Sequence, residues 1–211
     1  MKTDDLIRAL AADAPATPGA GSRRALLLLG ASTLGVVALF ALVFTLRPDL
    51  AGAGAWSTLR KLAFTLLLLA AGARGATALM RPDAEVREAL VWFAAPLAAL
   101  TAFITLDIAA HGFAGLGARA MGTMALQCLG SVALLSALPL AAFLYGLRNG
   151  ASIRPGLAGA FAGAAAGGLA ASLYALHCTD DSPFFVAIWY TLAVALVAIA
   201  GWLIGRRALR W

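Results

Sequence analysis

The chain is poor in charge and in the side chains that usually do chemistry. Only 12% of its 211 residues are charged, and it holds two cysteines and two histidines. A soluble domain carries roughly 25% charged residues. With 62% hydrophobic residues and a mean hydropathy of +0.89, this chain does not have water as its main solvent. It has no Gly-rich phosphate loop ending in Lys-Ser/Thr, no H-E-x-x-H, no G-x-S-x-G and no C-x-x-C. The isolated polar groups supply no nucleophile with its base. His111 and His177 stand at the edges of apolar segments, whereas a haem held by two histidines needs them deep on facing helices. An enzyme is not expected.

What is present is length without charge. Apolar stretches run near Ala25 to Leu46, Leu59 to Met80, Ala89 to Ala110, Gly122 to Leu147, Gly156 to Leu176 and Phe184 to Gly205. About 20 residues at about 1.5 Å each cross the hydrocarbon layer of a bilayer, and a lipid-exposed backbone must bond to itself. The expected fold is therefore all-α, an integral membrane bundle of six transmembrane helices over residues 25–211, preceded by a cytoplasmic arm over residues 1–24. The first stretch could be read as a cleaved signal peptide, with Arg23 and Arg24 before it and Ala51-Gly52-Ala53 after. It is longer than the usual apolar core of about 7 to 15 residues, and five more spans follow.

Orientation follows from the basic residues. With the N-terminus inside, Lys2, Arg8, Arg23, Arg24, Arg74, Arg81, Arg87, Arg148, Arg154, Arg206, Arg207 and Arg210 fall on the cytoplasmic side, leaving Arg47, Arg60, Lys61 and Arg119 outside. This positive-inside bias puts both ends in the cytoplasm of a bacterial inner membrane. The net charge of +6 is then topogenic, and no direct nucleic-acid contact is inferred from it.

The arm opens with a short amphipathic helix. Thr3 can cap it, Asp4 and Asp5 suit its positive end, and Leu6, Ile7 and Leu10 form an apolar stripe. After Asp13 a Pro/Gly-rich tether follows. Because Asp4, Asp5 and Asp13 would be repelled by anionic lipid, the stripe is a candidate protein-binding surface as well as a helix that simply lies on the bilayer. Within the spans, Gly159, Gly163 and Gly167 recur every fourth residue and predict close helix packing inside the chain. Pro96 and Pro139 predict kinks, the tryptophans fit interfacial anchors, and Arg74 can snorkel to the cytoplasm.

Chemistry gathers at one end. Cys128 is expected about two turns into the fourth span from its outer end, Cys178 follows His177 at the outer end of the fifth, and His111 ends the third. Asp107 lies one turn before His111 and could orient it, while Gln127 is expected to point away from Cys128. Thiolate and imidazole suit soft or borderline ions such as copper, cadmium, zinc or mercury, bound transiently rather than as a resident cofactor. The same thiols could form a disulfide, or be small apolar residues in a helix. The residues leave these readings open.

The opening Thr3-Asp4-Asp5-Leu6-Ile7-Arg8-Ala9-Leu10-Ala11-Ala12-Asp13, the Arg47-Pro48-Asp49-Leu50 segment, a mid-chain Cys128, the His177-Cys178 pair and the ending Gly205 to Trp211 together resemble the NrsF family of membrane-bound anti-sigma factors. The resemblance spans essentially the whole chain. It implies an extracytoplasmic-function sigma factor as partner besides membrane lipid, and release of that factor under periplasmic heavy-metal or oxidative stress. It also implies Cys128 and Cys178 as sensing residues, with the N-terminal arm as the sigma-factor contact. Two other readings are a small metal or solute transporter, which would place polar groups near mid-membrane, and a thiol oxidoreductase, which would carry a closely spaced reactive pair.

Overall fold

The structure, a computed structural model, describes residues 3–12 and 20–210, with the side chains of residues 9–12 and 20–22 excepted. The Leu10 side chain, Asp13 and the tether after it lie outside the described residues. Helix α1 (Thr3–Ala12) carries Asp4 and Asp5 in its first turn, as its sequence predicts. Leu6 and Ile7 are both exposed.

The rest is helical, with no strand among the described residues. In chain order follow α2 (Ala20–Val43), α3 (Ala55–Ala78), α4 (Val86–Val91), α5 (Ala94–His111), α6 (Leu116–Met121), α7 (Ala125–Leu147) and α8 (Pro155–Ala175). The last span is α9 (Pro183–Phe185), a π turn over Val186–Tyr190, and α10 (Thr191–Ala208). Grouped by length and hydropathy they make six helices long and apolar enough to cross a membrane.

The bundle is organised around α8, which packs most extensively on α10 and α3 and then on α7. Lipid is as apolar as leucine, so in a bilayer close contact between backbones replaces the hydrophobic effect as the driving force. The glycines of α8 bring backbones into close contact of this kind. A Cβ on Gly159 would strike the backbone of Gly201 and Gly205, and one on Gly163 the backbone of Val197 and Ala198. The four-residue stripe is thus an internal seam, as its spacing predicts. On the opposite side Gly168 meets Leu69, while Gly72 of α3 meets Ala165.

Two breaks interrupt the third and fourth spans. The third span is interrupted at Trp92–Phe93, between α4 and α5. Pro96 lacks an N–H and its ring crowds the carbonyl four residues back, at Trp92, which accounts for the break there. Pro139, by contrast, sits inside the unbroken α7. The fourth span begins with α6 and then turns at Gly122, whose φ of +60° favours glycine, so that α7 starts only at Ala125. Arg74 lies with its guanidinium 5.2 Å from the Trp92 ring centre, and Trp189 donates to the Ala120 carbonyl at 3.0 Å.

Candidate functional site

At the outer end as the sequence orients the chain, a short strap over residues 176–182 joins α8 to α9 and ties four elements together. The carbonyl of Leu176 accepts from the Arg47 backbone N–H at 3.0 Å. Next, His177 Nδ1 meets the Thr45 carbonyl at 2.8 Å, while its Nε2 lies 3.3 Å from Gln127 Nε2. A carbonyl can only accept, so the proton sits on Nδ1 and the Gln127 amide donates to Nε2. Gln127, exposed beside the buried Cys128, thus turns to His177 rather than to the thiol. Asp180 accepts from the backbone N–H of Met124 at 2.8 Å and of Thr123 at 3.0 Å, capping the approach to α7.

The strap is held down by two buried cations. Arg47 and Lys61 are 4% and 2% exposed. Arg47 forks onto both Asp181 oxygens at 2.7 and 2.9 Å and onto Asp49 at 2.7 and 2.8 Å. Lys61 Nζ reaches Asp181 at 2.8 Å, the Cys178 carbonyl at 2.7 Å and the Asp180 carbonyl at 3.1 Å. These hydrogen bonds offset the desolvation of the two charges, which unpaired would cost several kcal/mol each. They also set the acidities. Burial raises the Asp181 carboxyl, but hydrogen bonds from Arg47 and Lys61 outweigh it and hold the group below the usual carboxylate range. Hydrogen bonding to Arg47 depresses Asp49 likewise, and Arg47 is raised by its bonds to Asp181 and Asp49.

Directly beneath lie the thiols. Cys128 and Cys178 are free, fully buried and members of one apolar cluster with Tyr174, Phe185 and Tyr190. The late start of α7 makes Cys128 its fourth residue, donating from its backbone to the Met124 carbonyl at 2.8 Å. It is therefore one turn from the helix end, not two. Burial pushes the Cys178 thiol up, with Lys61 and a backbone hydrogen bond from Asp180 pulling the other way. Tyr190 turns its hydroxyl toward Cys178. Neither it nor the Tyr174 hydroxyl finds a partner of ordinary hydrogen-bond geometry among the described residues.

The other predicted residues are distributed differently. His111 is exposed at the end of α5 and pairs with Asp107 at 3.4 Å, and Asp107 is in turn bonded by Arg119. The imidazole of His177 is spent on Thr45 and Gln127. Among the described residues no group of three or more His, Cys, Asp or Glu side chains could hold a metal ion. Two thiols in one apolar cluster still match the donor set of a two-coordinate soft ion.

The clamp of Arg47, Lys61 and Asp181 is not expected from the sequence, where Arg47 and Lys61 read as outer basic residues and Arg47 as part of the Arg47-Pro48-Asp49-Leu50 segment. One signal was available. A Lys at the seventh position of an apolar helix needs a buried carboxylate partner, and Asp180-Asp181 was the one acidic pair among the segments joining the later spans.

The sequence model of the family described as NrsF, negative regulator of sigma F, matches residues 10–211. The chain is 38% identical over 231 residues to the anti-sigma-F factor NrsF of Caulobacter vibrioides, covering 100% of both chains. It is 33% identical over 220 residues to the probable anti-sigma-F factor NrsF of Azospira oryzae, again covering 100% of both. No solved structure matches it.

Proposed function

The chain belongs to the NrsF family of negative regulators of sigma F, and from that premise we propose that it is an inner-membrane anti-sigma factor whose two outer thiols control partner release. As an anti-sigma factor it acts by binding a sigma factor rather than by catalysis. The finer proposals are that the partner is of the extracytoplasmic-function class and that Cys128 and Cys178 sense heavy metal or oxidant. The observation that carries the sensing proposal is the burial of both thiols in one cluster under a strap that grips Cys178 by its carbonyl.

In the resting state the thiols are protonated and shielded. Oxidation joins the two sulfurs and passes two electrons to the oxidant with loss of two protons. A soft metal ion instead displaces the two protons and binds two thiolates. The Tyr190 hydroxyl is placed to meet the negative sulfur that forms. Either event pulls α7 and α8 together at one end, and α8 is the helix on which α3, α7 and α10 all pack. The displacement can therefore reach the opposite face as a rigid-body shift.

Helix α1 leaves Leu6 and Ile7 exposed, with Asp4 and Asp5 in its first turn. We assign this surface, together with Leu10, as the sigma-factor contact, its apolar stripe seated in a groove and its carboxylates on basic residues that otherwise meet DNA. Moving occupancy from about 99% to about 1% requires about 5.5 kcal/mol of differential affinity. Membrane insertion with both termini inside is supported by the six apolar helices. The exposure of Arg81, Arg87, Arg148, Arg154, Arg206, Arg207 and Arg210 at one end also supports it.

The test is co-purification of the cognate sigma factor with wild-type protein and with Cys128→Ser/Cys178→Ser, before and after cadmium, copper or a thiol oxidant. Release from wild type and retention by the double variant is the expected result. Equal retention by both would remove the thiols from the mechanism. Leu6→Asp/Ile7→Asp should lose the partner while the bundle's unfolding temperature stays unchanged.

A further inference from the structure

At the strap end Arg47 and Lys61 pair with Asp181, and Arg119 with Asp107. At the other end Arg148 and Arg210 are exposed and, among the described residues, form no ion pair. They flank a continuous surface. A groove of about 410 Å³ between α7 and α10 is lined by Ala137, Leu140, Ala141, Leu144 and Ile204 and ends at Tyr145 and Arg148. A second cavity of about 210 Å³, lined by Arg148, Gly150 and Arg210, continues it, the two sharing Arg148 and Ala208. Among the described residues, no carboxylate lines either cavity.

The usual reason for arginine at a helix C-terminus is to satisfy the last carbonyls. Here those of α7 are already taken. Tyr145 accepts from the Arg148 N–H, Gly146 from Asn149 and Leu147 from Gly150. The backbones that carry the two arginines are also fixed. Ala151 donates to the Met80 carbonyl at 2.9 Å, and the buried Leu209 donates to Gly205 at 3.0 Å. The result is an apolar groove opening onto two guanidinium groups on fixed backbone, without an ion pair among the described residues, and onto Tyr145.

We propose that this surface is a binding site for an anionic glycerophospholipid, with one acyl chain along α7 and α10 and the phosphate between Arg148 and Arg210. The inference rests on the membrane reading of the spans. Guanidinium forks match phosphate oxygens, and basic pockets between spans on the cytoplasmic side favour anionic headgroups.

The test uses the full chain, delipidated in detergent and titrated with phosphatidylglycerol or phosphatidylcholine under native mass spectrometry. Two arginines near an anionic headgroup are worth roughly 30-fold in affinity. Wild type should prefer phosphatidylglycerol by about that factor. Arg148→Gln/Arg210→Gln should abolish the preference. Ala141→Phe, which fills the groove and leaves both arginines, should weaken both lipids. An equal affinity of wild type for the two lipids, or a preference untouched by either variant, overturns the site. So does loss of sigma-factor co-purification in Arg148→Gln/Arg210→Gln without lipid selectivity in wild type, which would assign the surface to the protein partner. Failure of the membrane reading shows separately, as extraction of the chain from membranes by alkaline carbonate.

Discussion

Lys61 donates to the carbonyl of Cys178 at 2.7 Å, so a cation buried in the second span grips the backbone of a cysteine 117 positions away. The grip is doubled by Asp181, to which Lys61 and Arg47 both bind. This places a charged lock over the thiol pair. It also makes the strap the part of the site whose strength can be changed without touching sulfur.

Asp181→Asn leaves Arg47 with Asp49 alone and Lys61 buried with only the Cys178 and Asp180 carbonyls. The cost should be about 3 kcal/mol, the low end for breaking a buried pair because the Asp181 side chain is 33% exposed. Lys61→Met should cost less, since the Arg47–Asp181 fork survives. Thermal unfolding in detergent reads both. A Lys61→Met loss larger than that of Asp181→Asn would mean that the Cys178 and Asp180 carbonyls, rather than Asp181, are its main partners.

Acid should loosen the same clamp. The Asp181 and Asp49 carboxyls are held below their ordinary range when folded, so the stability they supply is present above about pH 4, the unfolded value, and is lost as pH falls through the folded one. The unfolding temperature of wild type should therefore hold from pH 7 to about pH 5 and then fall. Asp181→Asn should start lower and fall less steeply. Parallel curves would show that acid acts elsewhere.

Asp180 caps the segment that positions Cys128. Asp180→Ala should cost about 1 kcal/mol and fray the first turn of α7. Labelling of Cys128 by a thiol reagent should then accelerate in Asp180→Ala, measured in Cys178→Ser protein so that only one thiol reports. An unchanged rate would place the access route to the thiols away from the strap.

The α8 seam predicts an opposite pair of glycine responses. A side chain at Gly163 would enter the backbone of Val197 and Ala198, so Gly163→Val should cost at least about 1–3 kcal/mol. Gly30 has nothing within 4 Å of a Cβ, and Gly30→Ala should be neutral or stabilise by up to about 1 kcal/mol. Equal unfolding temperatures for the two variants would remove the seam from the packing account.

Several local features are legible in the sequence alone. The four-residue glycine period named the face by which α8 packs on α10, because a repeat of that length is one stripe of a helix. Asp4 and Asp5 marked the start of α1 for a similarly local reason. The depth of Cys128 was misjudged because apolarity runs unbroken through Gly122 to Leu147, while the helix start depends on a glycine turn and on a cap supplied by Asp180, 56 residues away from Met124. The bond from Gln127 to His177 is hidden from the sequence for the same reason, since His177 belongs to another helix end.

By itself the sequence determined that six segments are long and apolar enough to cross a membrane, and the end at which positive charge collects, because apolar run length and Lys/Arg position are properties of each segment alone. Only the tertiary structure decided that Arg47 and Lys61 are buried partners of Asp181, and that Cys128 and Cys178 share one apolar cluster. Arg47 and Asp181 are 134 positions apart. A charge that reads as topogenic along the chain becomes a clamp when the packing of α3 and α8 brings a carboxylate to it and excludes the water that would otherwise solvate both.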